Sequence, residues 1–369
     1  MRRHRQGRQV AGAALAAIGS LVLLLAPGAT TAALAAPAVV VSSSGNRLVD
    51  GAGNPIRLLG VDRSGSEYAC IQGWGFFDGP SDATSAAAIK SWHTNAVRVP
   101  LNEDCWLGIN SNPSNAARMG APYRQAIKSY VATLHAAGLA VILDIHANAP
   151  GSEPSTGAQL EPMLDADHGA RLWTSIAKAF LNDRGVVFDL YNEPHDISWT
   201  CWLRGCTVDD WLNPGATFRT VGMQRLVDAV RATGATQVIM AGGLGYSGDL
   251  SQWPAGLVDP AGHLAASVHV YNYPDQNPTS WNAVLAPIAA TFPIVTGELG
   301  EYDCNHTFID SYMRWADDHG VSYVGWTWDA TNAPGSGWTC KGGPSLITQY
   351  DGTPTQFGIG LRDHLAAIS

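Results

Sequence analysis

Residues 123–148 read YRQAIKSYVATLHAAGLAVILDIHAN, and this stretch carries the pattern that decides the fold. In its first half, Tyr123–Ala137, apolar side chains recur at helical spacing, and Gly138 follows as a C-terminal cap. The run Ala140–His146 is short and almost continuously apolar, as expected for a strand buried on both faces of a parallel sheet. The stretch therefore predicts a helix followed by a buried parallel strand.

The same alternation runs through the rest of the chain. We predict further strands at Ile56–Val61, Asn95–Val99, Val186–Tyr191, Gln237–Ala241, Ala266–Tyr271, Ile294–Glu298 and Tyr323–Trp328. Helical patterns lie between them at Asp167–Asn182, Ala216–Thr233 and Phe308–His319. Eight strand-then-helix units predict an α/β fold, a (β/α)8 TIM barrel that forms a single domain over residues 37–369. The alternative is an open doubly wound sheet, but the glycine-rich phosphate loop typical of that fold does not follow the first strand.

Residues 1–35 have the layout of a secretory signal peptide. The arginine-rich start MRRHRQGR leads into the apolar stretch Val10–Ala26, and small residues follow, ending Ala33-Leu34-Ala35. This order is typical of the charged region, apolar region and cleavage site of an exported protein. A membrane anchor is the weaker alternative, because a spanning helix needs about 20 apolar residues. We therefore predict cleavage near Ala36 and an extracellular protein that is not held in a membrane.

The composition excludes several classes of function. Hydrophobic residues make up 46% of the chain and charged residues 14%, which predicts a folded core rather than disorder. The formal net charge is -9, so nucleic acid is not an expected partner. The six cysteines are an even number in an exported chain, which indicates disulfides rather than thiolate metal ligands. Because no metal constellation or cofactor motif is evident, we predict neither a metal nor a cofactor.

Polar side chains collect at the carboxyl ends of the predicted strands, where such a barrel has its active site. These ends read VRVP at 97–100, LDIHAN at 143–148, LYNEP at 190–194, VHVY at 268–271, TGELG at 296–300 and GWTW at 325–328. Glu193 and Glu298 lie at the carboxyl ends of the fourth and seventh predicted strands, which face each other across the barrel. Hydrolysis of a glycosidic bond requires such a pair, because one carboxyl protonates the leaving oxygen and the other attacks the anomeric carbon.

With these motifs the chain resembles glycoside hydrolase family 5, the cellulase family of retaining (β/α)8 glycosidases, over essentially all of residues 37–369. The resemblance implies that Glu193, in the sequence Asn-Glu-Pro, is the proton donor and later the base. It also implies that Glu298, which follows a glycine, is the nucleophile that forms a glycosyl-enzyme. Asn192 would then bind the 2-hydroxyl of the sugar in subsite -1.

The resemblance assigns further roles around the same sugar. Arg98 would lie beside the nucleophile, and Tyr271 would orient it. His146 and His269 would contact the substrate, and Trp326 would lie under the sugar. Trp328, two residues later on the predicted strand, is the alternative for the last role and is included among the substrate-binding residues.

Simpler roles stay open for several of these residues. The alternative role of Arg98 is to neutralise a buried acid. The alternative role of His146 and His269 is to pack in the core as hydrogen-bonded residues. We interpret Asp144 as a structural residue lower in the barrel. Glu103 and Asp104, just after the second predicted strand, are interpreted as caps of the loop that follows.

The 13 tryptophans fall into two main groups. Those in predicted helices are expected to pack against the barrel: Trp92, Trp173, Trp281 and Trp315. Those in loops that follow strands are Trp74, Trp106, Trp199, Trp202, Trp211, Trp253 and Trp338. Because flat apolar rings suit the faces of pyranose sugars, we expect roughly two to four of this second group to form sugar platforms.

The cysteines all lie in loops that follow strands. Six cysteines allow 15 disulfide patterns, and the most economical pairs those of adjacent or the same loops. That pattern joins Cys70 to Cys105, Cys201 to Cys206 and Cys304 to Cys340.

The sequence therefore predicts a secreted, monomeric, retaining β-glycosidase that binds an oligo- or polysaccharide, most specifically an endo-β-1,4-glucanase. Alternatives on the same machinery are an exo-acting β-glycosidase or diglycosidase, a β-mannanase and other β-glucanases, because fold does not determine the sugar. The long loops 147–167 and 194–214 favour a partly walled cleft and keep exo action open. An inactive carbohydrate-binding barrel would lack one glutamate of the pair, and both are present.

Overall fold

The computed structural model describes residues 39–151, 160–303, 305–330 and 344–369. Its strands are β1 Ser42–Ser44, β2 Arg47–Val49, β3 Pro55–Ile56, β4 Leu59–Asp62, β5 Ala96–Asn102, β6 Ala140–Ala147, β7 Val186–Asp189, β8 Thr207–Asp209, β9 Thr217–Arg219, β10 Ile239–Gly242, β11 Leu264–Tyr271, β12 Ile294–Gly300, β13 Ser322–Gly325, β14 Ile347–Gln349 and β15 Thr353–Pro354. The predicted signal peptide, Cys304, Trp338 and Cys340 lie outside the described residues.

Helices cover most of the segments between the barrel strands. They are α1 Ala83–Lys90, α2 Glu103–Leu107, α3 Ala121–Ala136, α4 Gly169–Ala179, α5 Trp199–Arg204, α6 Met223–Arg231, α7 Pro278–Ser280, α8 Ala286–Ala289, α9 Thr307–His319 and α10 Gln356–Ile368. A 3-10 turn spans Ala116–Arg118, and a π-helical turn, Trp281–Leu285, joins α7 to α8. Among the described residues, no helix is long and apolar enough to cross a bilayer.

Eight parallel strands close into a barrel in the order β4, β5, β6, β7, β10, β11, β12, β13. Strand β13 pairs with β4 through Tyr323 opposite Leu59, which completes the ring. The predicted (β/α)8 barrel is therefore confirmed, and each of the eight predicted strands overlaps a barrel strand.

Several elements differ from the sequence prediction. Ile56 belongs to a small antiparallel sheet of β1, β2 and β3, so the first barrel strand starts only at Leu59. The helix predicted over Ala216–Thr233 starts at Met223, because Thr217–Arg219 pairs with β8 as a hairpin. No helix forms over 243–263, a fully described segment whose five glycines and two prolines disfavour helical backbone.

The interior of the barrel has an apolar lower layer. Val41, just before β1, and Leu48 of β2 contribute to this layer. Its other members are alternate residues of the barrel strands, which point inward: Ala96, Ala140, Ile142, Val187, Met240, Ala265, Val295 and Val324. A separate, larger core fills the space between the strands and the helices. The four tryptophans predicted to pack in helical regions, Trp92, Trp173, Trp281 and Trp315, are all buried there. This packing leaves the carboxyl ends of the strands as the place for polar side chains.

Candidate active site

Two glutamates meet at the mouth of the barrel. Glu298 lies within β12, and Glu193 lies in the segment that follows β7. His269, from β11, stands between them, with its Nδ1 2.9 Å from Glu193 Oε1 and 3.5 Å from Glu298 Oε2. One carboxylate oxygen of Glu193 and one of Glu298 lie within 4.8 Å of each other. Both carboxyls are therefore within reach of a single glycosidic bond.

Two donors hold the carboxylate of Glu298 in place. The hydroxyl of Tyr271 donates to Oε2 at 2.6 Å, and Arg98 Nη1 donates to Oε1 at 3.1 Å. Burial and the negative charge of Glu298 raise the pKa of Tyr271 well above its ordinary value, so the tyrosine keeps its proton and remains a donor. Both oxygens of Glu298 thus have fixed directions at the mouth.

Arg98 is fully buried and contacts carboxylates from four strands. Besides Glu298, its guanidinium lies 3.0 Å from Asp62 Oδ1, 3.3 Å from Asp144 Oδ2 and 3.2 Å from Asp189 Oδ2. The two roles considered for Arg98, neutralising buried acids and holding Glu298, are therefore compatible in one side chain. Asp144 was expected to be structural, and it does support the site from inside the barrel.

One arginine among four carboxylates leaves the cluster short of positive charge. Burial raises the pKa of Asp62 well above its ordinary value and that of Asp189 to about 7. For Asp144, burial is outweighed by the charge of Arg98 and the hydrogen bond to His146, so its pKa is lowered. Burial and the repulsion between neighbouring carboxylates therefore favour the protonated forms of Asp62 and Asp189.

His146 and Asn192 are oriented by the same cluster. Asp144 Oδ2 lies 3.0 Å from His146 Nδ1, and this hydrogen bond and charge outweigh burial and raise the pKa of His146 to about 9. Asn192 Oδ1 accepts a hydrogen bond from Arg98 Nη2 at 2.7 Å. The ring of Trp326 stacks on His146, with 5.1 Å between the centroids and 12° between the planes. These side chains form one connected wall beside the glutamates.

The environment of Glu193 favours its protonated form. Burial raises the pKa of Glu193, although the charges of His146 and Arg98 oppose that rise. Burial also lowers the pKa of His269 to about 3, so this neighbour is neutral in the working range of most enzymes. The two glutamates therefore have different surroundings: Glu298 faces two donors, and Glu193 faces a neutral imidazole.

The inclusion of Trp328 among the substrate-binding residues is wrong. Its side chain is fully buried, and its ring packs edge-on against Trp92, with 4.8 Å between the centroids. The prediction assumed a strand that continues to residue 328, but β13 ends at Gly325, so side-chain alternation does not extend to this tryptophan. Trp326 is the one that faces the cluster.

Sequence reasoning missed Asp62 and Asp189, which complete the ring of acids around Arg98. A signal was present, because each is a lone acid at the end of an apolar strand, in LGVD and VVFD. It also missed the loop after β10. There Tyr246 and Ser247 have φ of 60° and 58°, and the Ser247 hydroxyl donates to the Asn192 carbonyl at 2.7 Å. This loop therefore fixes the backbone beside Glu193.

The loop tryptophans divide by exposure. Trp106, Trp202 and Trp253 are buried and join the core, and Trp199 is half-buried. Trp74 and Trp211 are 66% and 44% exposed, and Tyr246 is 45% exposed with its ring stacked on His195. Trp74 and Trp211 therefore remain the best candidates for sugar platforms among the described loop tryptophans.

Two of the three predicted disulfides are present. Cys70–Cys105 joins the loops after β4 and β5, and Cys201–Cys206 closes a short loop after β7. The predicted pair Cys304–Cys340 falls on residues that the structure does not describe.

Two groups of side chains in the described part of the chain have donor atoms close enough to hold a metal ion. One is Glu193, His269 and Glu298, whose donor atoms already bond to one another, to Tyr271 and to Arg98. The other is Glu103, Asp165 and His168, which lie in the segments that follow β5 and β6.

A barrel of eight parallel strands with a pair of glutamates at its mouth is the architecture of a (β/α)8 glycoside hydrolase. The sequence matches the family described as Cellulase (glycosyl hydrolase family 5) over residues 49–332. The chain therefore belongs to glycosyl hydrolase family 5 and is a glycoside hydrolase, as the sequence motifs predicted.

Individual relatives are more distant. A mannan endo-1,4-β-mannosidase from Streptomyces lividans is 24% identical over 86% of this chain and 73% of its own length. The endoglucanase CelA from the same organism is 22% identical over 78% of this chain and 56% of its own length. The crystal structure of a β-glucanase from Saccharophagus degradans in complex with cellotetraose superposes with a TM-score of 0.66 at 18% identity, covering 90% of this chain and 94% of that chain. This last likeness supports the fold.

Proposed function

We propose that the protein is a secreted retaining glycosidase that cleaves β-1,4 bonds within a polysaccharide backbone, with a glucan as the leading substrate. The observation that carries the proposal is the glutamate pair: one oxygen of each lies within 4.8 Å of one of the other, and the two carboxyls have different electrostatic surroundings. Retaining enzymes hold their carboxyls roughly 5–5.5 Å apart and inverting enzymes roughly 6.5–9.5 Å. The short separation supports double displacement.

In the first step Glu298 attacks the anomeric carbon, while Glu193 gives its proton to the leaving oxygen. Tyr271 and Arg98 direct the oxygens of Glu298, and Asn192 lies where its amide can reach a sugar hydroxyl. The resulting ester removes the charge of Glu298, so the pKa of Glu193 falls. Glu193 can then take a proton from the water that attacks the anomeric carbon and releases Glu298.

The stereochemistry of the product tests this mechanism. We expect proton NMR of an early reaction mixture to show the β-anomer as the first product from a β-linked substrate. Early α-anomer would contradict retention. In Glu193→Ala, added azide should give a β-glycosyl azide from an activated aryl β-glycoside, because azide attacks the glycosyl-enzyme. In Glu298→Ala it should give the α-azide. The reverse pattern would exchange the two roles.

Mannan is the second candidate substrate, because a mannan endo-mannosidase matches 86% of this chain. The viscosity of soluble cellulose and galactomannan solutions, followed together with the release of reducing ends, separates the alternatives. We expect a rapid loss of viscosity with cellulose. A faster loss with galactomannan would favour a mannanase, and release of small sugars without loss of viscosity would favour exo action.

Secretion with removal of residues 1–35 is part of the same proposal. The supporting observation is the arginine-rich start followed by an apolar stretch and small residues. Mass spectrometry of the protein from the culture medium should give an N-terminus near Ala36. Intact Met1 on the secreted protein would contradict cleavage.

A further inference from the structure

A second group of ionisable side chains lies between the loops that follow β5 and β6. Glu103 is the first residue of α2, and Asp165 and His168 lie just before α4. One oxygen of Glu103, one oxygen of Asp165 and one ring nitrogen of His168 all lie within 4.8 Å of one another. The three donors come from two segments that are far apart in the chain, so the fold itself assembles the group.

The two carboxylates of this group are buried and have few hydrogen-bond partners. Glu103 is 0% exposed and Asp165 is 1% exposed. In the part of the chain that the structure describes, Glu103 contacts the carboxyl of Asp165 and the backbone of Ala149, but no hydrogen bond of normal geometry reaches either oxygen of Glu103 or Oδ2 of Asp165. The only ion pair of either carboxylate there is the 3.1 Å contact between Asp165 and His168. The fold thus brings two buried carboxylates together with a single imidazole as their ion-pair partner, and this excess of negative charge favours a bound cation.

We propose that Glu103, Asp165 and His168 bind a divalent metal ion that accepts mixed oxygen and nitrogen ligands, Zn²⁺ or Mn²⁺. Two carboxylates balance the charge of a divalent ion, so the occupied site would be neutral and could stay buried. The imidazole nitrogen favours a transition metal over Ca²⁺ or Mg²⁺, which prefer oxygen ligands alone. The proposal differs from the sequence prediction of no metal, and it does not depend on the glycosidase proposal.

The contrast with the active-site group supports this choice. At Glu193, His269 and Glu298 the same spacing occurs, but Tyr271 and Arg98 already supply donors to the nucleophile. At Glu103 no arginine, lysine or tyrosine of the described residues donates in this way. An ion at Glu103 would link α2 to the start of α4 and so tie together two loops at the mouth of the barrel.

The test uses the whole secreted protein after dialysis against a chelator. Calorimetric titration with Zn²⁺ and Mn²⁺ should show binding that Glu103→Gln and His168→Gln each weaken at least about tenfold. Saturating Zn²⁺ should raise the Tm of the wild type by at least about 2 °C, and Ca²⁺ should raise it less. His135→Gln is the matched control, because it alters another His–Asp pair, 3.1 Å from Asp183, and should leave the affinity unchanged.

The outcomes are distinguishable. If the wild type binds neither ion, or if the Tm does not rise, the proposal is wrong, and this result needs no variant to fold. If Glu298→Gln weakens Zn²⁺ binding while Glu103→Gln does not, the ion binds at the catalytic pair and the proposal is also wrong. Circular dichroism of each variant confirms that a lost affinity reflects the ligand and not the fold.

Discussion

The two layers inside the barrel are built on the same strands but have opposite chemistry. In the lower layer Ile142 and Val187 pack with other apolar side chains under the N-terminal sheet. Two residues further along the same strands, Asp144 and Asp189 contact the buried guanidinium of Arg98. The change from apolar to charged therefore occurs within one repeat of side-chain alternation.

The comparison separates what holds the barrel together from what the active site requires. Apolar packing in the lower layer is stabilising and tolerates changes of similar volume. The upper layer places four carboxylates around one arginine, an arrangement in which desolvation offsets much of the attraction between charges. We infer that the upper layer persists because its charges orient Glu298, Asn192 and His146, and the predictions below test that division.

The largest expected effect is on catalysis, from a change confined to the upper layer. Glu298→Gln keeps the size of the side chain but removes the proposed nucleophile, so kcat should fall at least about 10⁴-fold. Glu301→Gln is the matched control. Glu301 is also a buried glutamate, but it accepts hydrogen bonds from the amides of Phe308 and Ile309 at the start of α9. Its replacement should leave kcat little changed; equal losses in both variants would contradict the assignment of Glu298.

Arg98→Met should be the most destabilising change of the upper layer. It leaves the carboxylates around Arg98 without their counter-charge, and removing one partner of a buried ion pair costs about 3–5 kcal/mol. Urea unfolding at two pH values measures it. The loss should be larger at pH 8 than at pH 5, because protons can replace the missing charge when the carboxylates titrate. A loss that does not depend on pH would mean that packing, not charge, explains the effect.

The strands, and the position of the two glutamates at the strand ends, could be predicted because each depends on a local pattern. Continuous apolar runs mark buried parallel strands, and the motif around Glu193 lies on five consecutive residues. The acids around Arg98 could not be predicted as a group, because Asp62 and Asp189 meet only when the barrel closes. The position of the Trp328 side chain depends on where β13 ends, and the end of an element is the least reliable part of a prediction from sequence pattern.

A substitution in the lower layer should change stability without changing catalysis, unlike Glu298→Gln in the upper layer. Ile142→Val removes one methylene from the apolar interior and should destabilise the protein by about 0.5–1.5 kcal/mol. Because no charge changes, kcat/KM and its pH profile should match the wild type. Urea unfolding and initial rates measure the two quantities. A changed pH profile would show that the two layers are coupled through packing.

The smallest predicted effect is a shift in pH dependence, and it tests whether charge in the upper layer acts at a distance. His146 has a pKa raised to about 9, so it is positively charged while Glu193 titrates, and this charge lowers the pKa of Glu193. In His146→Gln the charge is absent, so the pKa of Glu193 should rise. Glu193 must be protonated to act as the acid, and a higher pKa keeps it protonated to higher pH. The basic limb of kcat/KM should therefore move to higher pH, by about one unit or less.

The direction of that shift discriminates between two roles of His146, independently of how far the overall rate falls. A histidine that only contacts substrate through hydrogen bonds would change the height of the profile and leave its basic limb in place. A histidine that also acts through its charge moves the limb upward, as the raised pKa of His146 beside Asp144 predicts. Ile142→Val, two residues below Asp144 on the same strand, is the control that should change neither the height of the profile nor the position of its basic limb. A limb that moved to lower pH would contradict the assignment of Glu193 as the acid, because the loss of a neighbouring positive charge cannot lower the pKa of a carboxyl group.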